Sequence, residues 1–146
     1  MAARKKRVRT GLDYEQRRLL TLIGQGLKLA DAASSLDLTT RTAERRLAAA
    51  RSLLEARTTA QAVALAGVAR SSTPRSLQEL TRREREVLEG VASGLTSREI
   101  AVRLGTRAPT IDALVRSAMS KLDARTRVQA AALAPSARLE VGGIYR

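Results

Sequence analysis

Apolar residues recur along this chain at spacings of three and four, with polar and charged positions between them. In "LTRREREVLEGVASG" (80–94), Val87, Leu88 and Val91 share one face of a helix. Thr81 is placed to cap the amide three residues on, and Glu84 to reach back, which makes a capping box. Gly94 then stops the helix, because glycine takes the left-handed backbone without a Cβ clash. Asp13, Gln16 and Gly26 write the same signals around Leu19, Leu20 and Ile23. "TSREIAVRLG" repeats the cap with Thr96 and Glu99 and stops at Gly105. A third helix is predicted to start at Pro109, whose fixed φ suits a first helical turn. Its inward stripe is Ile111, Val115, Ala118 and Leu122, and the matching stripe upstream is Ala43, Leu47, Ala50 and Leu54. "TAQAVALA" and "RVQAAALA" read as fourth helices. No segment alternates with a period of two, so the pattern predicts an all-α protein.

The doubled signals come from an internal repeat. Sliding the chain against itself by 68 residues aligns 12–66 with 80–134 without a gap, and 19 of the 55 pairs are identical. Composition alone would give roughly six. The expectation is two tandem four-helix domains, 12–66 and 80–134, joined by a linker at 67–79. A basic arm at 1–11 precedes them and a tail at 135–146 follows.

Composition narrows the chemistry. With no Cys and no His, disulfides, thiolate metal sites and the usual general base are excluded. No metal, cofactor or catalytic residue is expected, and an enzyme is disfavoured. "GLTSREIA" lacks the Gly-Lys-Ser/Thr ending and preceding strand of a phosphate loop. Tyr14 and Tyr145 are the only aromatics, too few for base-stacking platforms. The net charge of +13, spread over both halves and carried mostly by Arg, points to a polyanionic partner. No run of 18 apolar residues suggests a membrane span, and the basic start lacks the apolar core of a signal peptide. A cytoplasmic location, at a bacterial nucleoid, is the expectation.

"LTRREREVLEGVASGLTSREIAVRLG", followed by "PTI", "KL" and "RVQAAALA", closely resembles the DNA-binding domain of the LuxR-type (GerE-like) bacterial regulators. The first copy is a degenerate version of the same pattern. The resemblance implies that the second and third helices of each copy form a helix-turn-helix. The third would lie in the major groove of double-stranded DNA, and the fourth (58–66 and 126–134) would pair within the chain or in a homodimer. After Thr42–Ala43 and Thr110–Ile111, where the family usually has a Thr-Val pair followed by Lys, this chain has Glu44 and Asp112. Two residues on, where the family usually has His, it has Arg46 and Leu114. An acid in the groove can accept from cytosine N4, which changes the expected base preference.

The outward residues expected at DNA are Arg41, Thr42, Glu44, Arg45 and Arg46 in the first copy. In the second they are Arg107, Thr110, Asp112, Arg116 and Ser120, with Arg98 near the start of the preceding helix. A solvated helix face is the alternative reading of each arginine. Arg4, Lys5, Lys6 and Arg7 suit a minor groove or a run of phosphates, or a solubilising tail. The linker, if extended, reaches roughly 40 Å, enough for the ~34 Å between adjacent half-sites.

Three functions fit these residues. The first is a sequence-specific regulator of transcription, built as a covalent pseudo-dimer. The second is a protein-interaction module for RNA polymerase or another regulator. The arginine-rich "RTAERRLAAARSLLEA" loosely resembles region 4 of sigma factors. The third is an architectural DNA binder of weak sequence preference, from a phage, plasmid or nucleoid.

Overall fold

The computed structural model describes residues 11–67 and 79–133. The basic arm, all but the ends of the linker, and the tail fall outside the described residues. Within them the chain is all helical: α1 (Tyr14–Gly24), α2 (Leu29–Ser35), α3 (Thr40–Leu53), α4 (Thr59–Ala66), α5 (Arg82–Ala92), α6 (Ser97–Leu104), α7 (Ala108–Leu122) and α8 (Arg127–Leu133). Each of the first four helices begins 68 residues before its counterpart in the second four.

The caps explain these boundaries. Asp13 and Gln16 close a capping box on α1, Thr81 and Glu84 on α5, and Thr96 and Glu99 on α6. α1 and α5 stop two residues short of the glycines that end them. Gly26 (φ 97°) and Gly94 (φ 84°) take the left-handed turn, so that Leu27 N–H reaches the Leu22 carbonyl and Leu95 N–H the Gly90 carbonyl. The helix expected from Pro109 begins one residue earlier, at Ala108. Extended Arg107 is its N-cap, and Pro109 sits inside the first turn, where its missing N–H has no partner to lose. Of the expected stripes, Ile111, Val115, Ala118 and Leu122 are buried, as are Ala43, Leu47 and Ala50. Leu54, the C-cap of α3, is only partly buried.

Each half packs its own core, and each core borrows from the other half. Leu19, Leu20, Ile23, Leu47 and Val63 fill the first, together with Ala132 from α8. Val87, Val91, Ile100, Ile111 and Val115 fill the second, together with Ala60 from α4. α4 and α8 lie against each other; α1 touches α8 and α4 touches α5. A Cβ on Gly26 would collide with the Gln129 carboxamide, and one on Gly94 with that of Gln61. Since 26 and 94, and 61 and 129, are equivalent positions, the contact is reciprocal. The same patch of each half thus meets its counterpart in the other.

Candidate nucleic-acid interface

In each half a short helix, a turn and a longer helix stand in succession: α2 and α3, then α6 and α7. The two pairs are fixed differently at their N-termini. Thr39 caps α3 through the Thr42 amide, while Lys28 gives α2 no side-chain cap. In the second half Thr96 caps α6, and Arg107 gives α7 no side-chain cap.

Arg41 and Arg45 on α3, Arg107 and Arg116 at and along α7, and Arg98 on α6 are exposed and have no acidic partner among the described residues. Glu44, Thr110 and Ser120 are exposed as well. Thr42 is half-buried, with its hydroxyl 2.9 Å from that of Thr39. A shallow depression of about 390 Å³ between α1 and α3 is lined by Gln16, Thr42, Arg45, Arg46 and Ala49. Arg4, Lys5, Lys6 and Arg7 lie outside the described residues.

Two of the expected outward residues also contact the protein itself: Arg46, half-buried, and Asp112, exposed. Arg46 turns back onto α1, with Nη2 2.6 Å from Glu15 Oε2 and Nη1 3.7 Å from Asp13 Oδ2. The two acids at the head of α1 attract it, and its equivalent in the second half is Leu114. Asp112 Oδ1 accepts from the Ser97 hydroxyl at 2.6 Å and lies 3.7 Å from Arg127 Nη1, which also donates to Ser97 Oγ at 3.0 Å. This cluster ties α6, α7 and α8 together. Burial lowers the pKa of Arg127, and the Asp112 charge acts against that shift.

Sequence reasoning missed two polar links. Glu84 is buried; its carboxylate accepts from Ser117 Oγ (2.7 Å), the Thr81 amide (2.9 Å) and Lys121 Nζ (3.0 Å). Burial pushes its pKa up, but these donors outweigh burial and the net shift is downward. Arg57, ahead of α4, crosses to the other half and donates to Glu99 Oε1 at 2.9 Å. Glu99 is held down to about 2, first by the Thr96 amide and then by Arg57. At the positions 68 residues removed, Arg125 and Asp31 form no such ion pair. The self-alignment held a signal for the first link: where the first half has Gln16, Ala49 and Leu53, the second has Glu84, Ser117 and Lys121.

Among the described residues no helix is long and apolar enough to cross a membrane, and no group of three or more acidic, His or Cys side chains is arranged to hold a metal. Residues 78–134 match the family described as "Bacterial regulatory proteins, luxR family". The chain is 37% identical over 62 residues to the nitrate/nitrite response regulator protein NarL of Escherichia coli strain K12, and equally to that of Escherichia coli O6:H1. That alignment spans 42% of this chain and 29% of each relative. No solved structure gives a significant match. Residues 78–134, with α6 and α7 at their centre, are one helix-turn-helix domain of the LuxR type.

Proposed function

We propose that the chain is a sequence-specific regulator of transcription that binds double-stranded DNA through both halves as a covalent pseudo-dimer. The carrying observation is the pairing of a reciprocal α4–α8 contact with arginines on both α3 and α7 that have no acidic partner among the described residues. A two-fold rotation preserves height along its axis, so the two long helices can face one side of a duplex together. The luxR-family match over 78–134 and the likeness to a response regulator support the second half as a DNA binder. The recurrence of four helices at an offset of 68 supports reading 12–66 as a degenerate copy.

The reading assigns no catalysis and no cofactor. It places the protein in the cytoplasm, at the nucleoid. Arg4, Lys5, Lys6 and Arg7 would add phosphate contacts. Residues 1–10, 68–78 and 134–146 hold nine of the 27 cations and one of the 14 acids. Much of the salt-dependent affinity would therefore come from outside the helices.

Selection from a duplex pool tests this. A footprint at a defined site, at least ~10³-fold tighter than random DNA, supports it. Affinity that falls steeply with salt and ignores sequence supports an architectural role instead. The capture of Asp112 by Ser97 and Arg127 favours a second reading, a docking module for RNA polymerase or another regulator. That reading predicts weak DNA binding and a co-purifying protein.

A further inference from the structure

The two long helices occupy equivalent places but do not present the same groups. At the exposed positions of α3 and α7, Arg41 corresponds to Pro109, Arg45 to Ala113, and Ala48 to Arg116. Arg116 therefore sits three positions later in α7 than the place that Arg45 holds in α3, close to one helical turn. The one like-charged pair also differs. Asp112 is held by Ser97 and Arg127, whereas the equivalents of those partners beside Glu44 are Leu29 and Thr59, which carry no charge.

A guanidinium fork suits guanine O6 and N7, while an alanine methyl suits the thymine methyl. A site with two identical half-sites would thus satisfy at most one helix. Resting on the DNA-binding reading above, we propose that the partner is a duplex with two unlike half-sites about one turn apart. On it the chain binds in one orientation only. A homodimer would be indifferent to direction, because its two helices are the same. This chain fixes its own polarity along the DNA because its halves are covalently joined and chemically distinct.

The test uses the full chain. Duplexes randomised over ~26 base pairs are selected at low salt, the spread allowing for two half-sites and their flanks. Two symmetric sites are then built from the winner, one doubling each half. The winner should bind at least ~10-fold tighter than either symmetric site, as loss of one well-placed base contact implies. Arg45→Ala should flatten base preference in one half and Arg116→Ala in the other. Both side chains are exposed and have no acidic partner among the described residues, so an unchanged helical circular dichroism signal will separate lost contacts from lost folding. A palindromic winner, a symmetric site bound as tightly as the winner, or a winner specified in only one half would overturn the proposal. Retention of no duplex at all would count against DNA binding itself, and the proposal would fall with it.

Discussion

Gln61 of α4 lies against Gly94, the residue that ends α5 in the other half of the chain. Its own carboxamide oxygen accepts the Arg57 amide at 2.7 Å, which fixes the side chain in place. Gln129 repeats the arrangement against Gly26, accepting the Arg125 amide at 2.8 Å. Each glycine therefore does two jobs. It turns the chain out of a helix, and it leaves room for the opposite half to dock.

The first prediction separates those jobs. Gly105 also has positive φ, 65°, but a Cβ there would meet nothing within 4 Å. Gly105→Ala should cost about 1 kcal/mol, from the backbone alone. Gly26→Ala and Gly94→Ala should cost about 2 kcal/mol, because the Gln129 or Gln61 carboxamide must swing aside and release its backbone amide in addition to the same strain. Urea unfolding of the three variants gives the comparison. Equal losses at all three positions would contradict the described docking.

The second prediction concerns acid. The folded pKa of Glu84 lies below its unfolded value. Its contribution is therefore complete above about pH 4.3 and disappears as pH falls through the folded pKa. Glu84→Gln should flatten that part of the stability–pH curve. Lys121→Ala should cost about 1–3 kcal/mol at neutral pH, since it removes one donor from a buried carboxylate. Installing the first half's set, Glu84→Gln with Ser117→Ala and Lys121→Leu, should restore stability to within about 1 kcal/mol, because no buried charge remains. Denaturant unfolding between pH 2 and 7 checks all three.

The third prediction is a gain. Glu55 and Asp123 occupy equivalent positions and both have left-handed backbone, φ 53° and 51°. The strain exceeds the extra chain entropy of a glycine, so Glu55→Gly and Asp123→Gly should each stabilise by about 0.5–1 kcal/mol. In a chain of this size that raises the thermal midpoint by roughly 2–4 °C per kcal/mol. An unchanged or lowered midpoint would show that these side chains stabilise the turn.

Asp112 gives the fourth. Asp112→Asn keeps an acceptor for Ser97 but leaves the Arg127 charge unopposed. Binding to any duplex should tighten by about threefold at low salt, with a steeper dependence on salt. Weaker binding confined to one selected site would mean that Asp112 reads a base directly. Fluorescence anisotropy at two salt concentrations distinguishes these results.

Local signals made most of the fold legible from sequence. Asp13, Thr81 and Thr96 announce their helices because a cap acts within three residues, and the Val87, Leu88 and Val91 face repeats with the helical period. α7 starts one residue before the position that Pro109 marks, because proline is tolerated within the first turn and Arg107 carries no capping signal. What stayed hidden involves charge pairs far apart in sequence. Arg46 looked outward by helical spacing, yet it folds onto Asp13 and Glu15, some thirty residues away. Arg57 meets Glu99 only because the two halves dock, a relation that no periodicity within one helix can express.

The most direct measurement is a low-salt titration of the full chain into a selected duplex of about 30 base pairs, paired with hydroxyl-radical footprinting. We expect one chain per duplex, with protection over two successive major grooves on one face, about 10 base pairs apart. Two chains per duplex, protection of a single groove, or no affinity for any duplex would contradict a single chain gripping DNA with both halves.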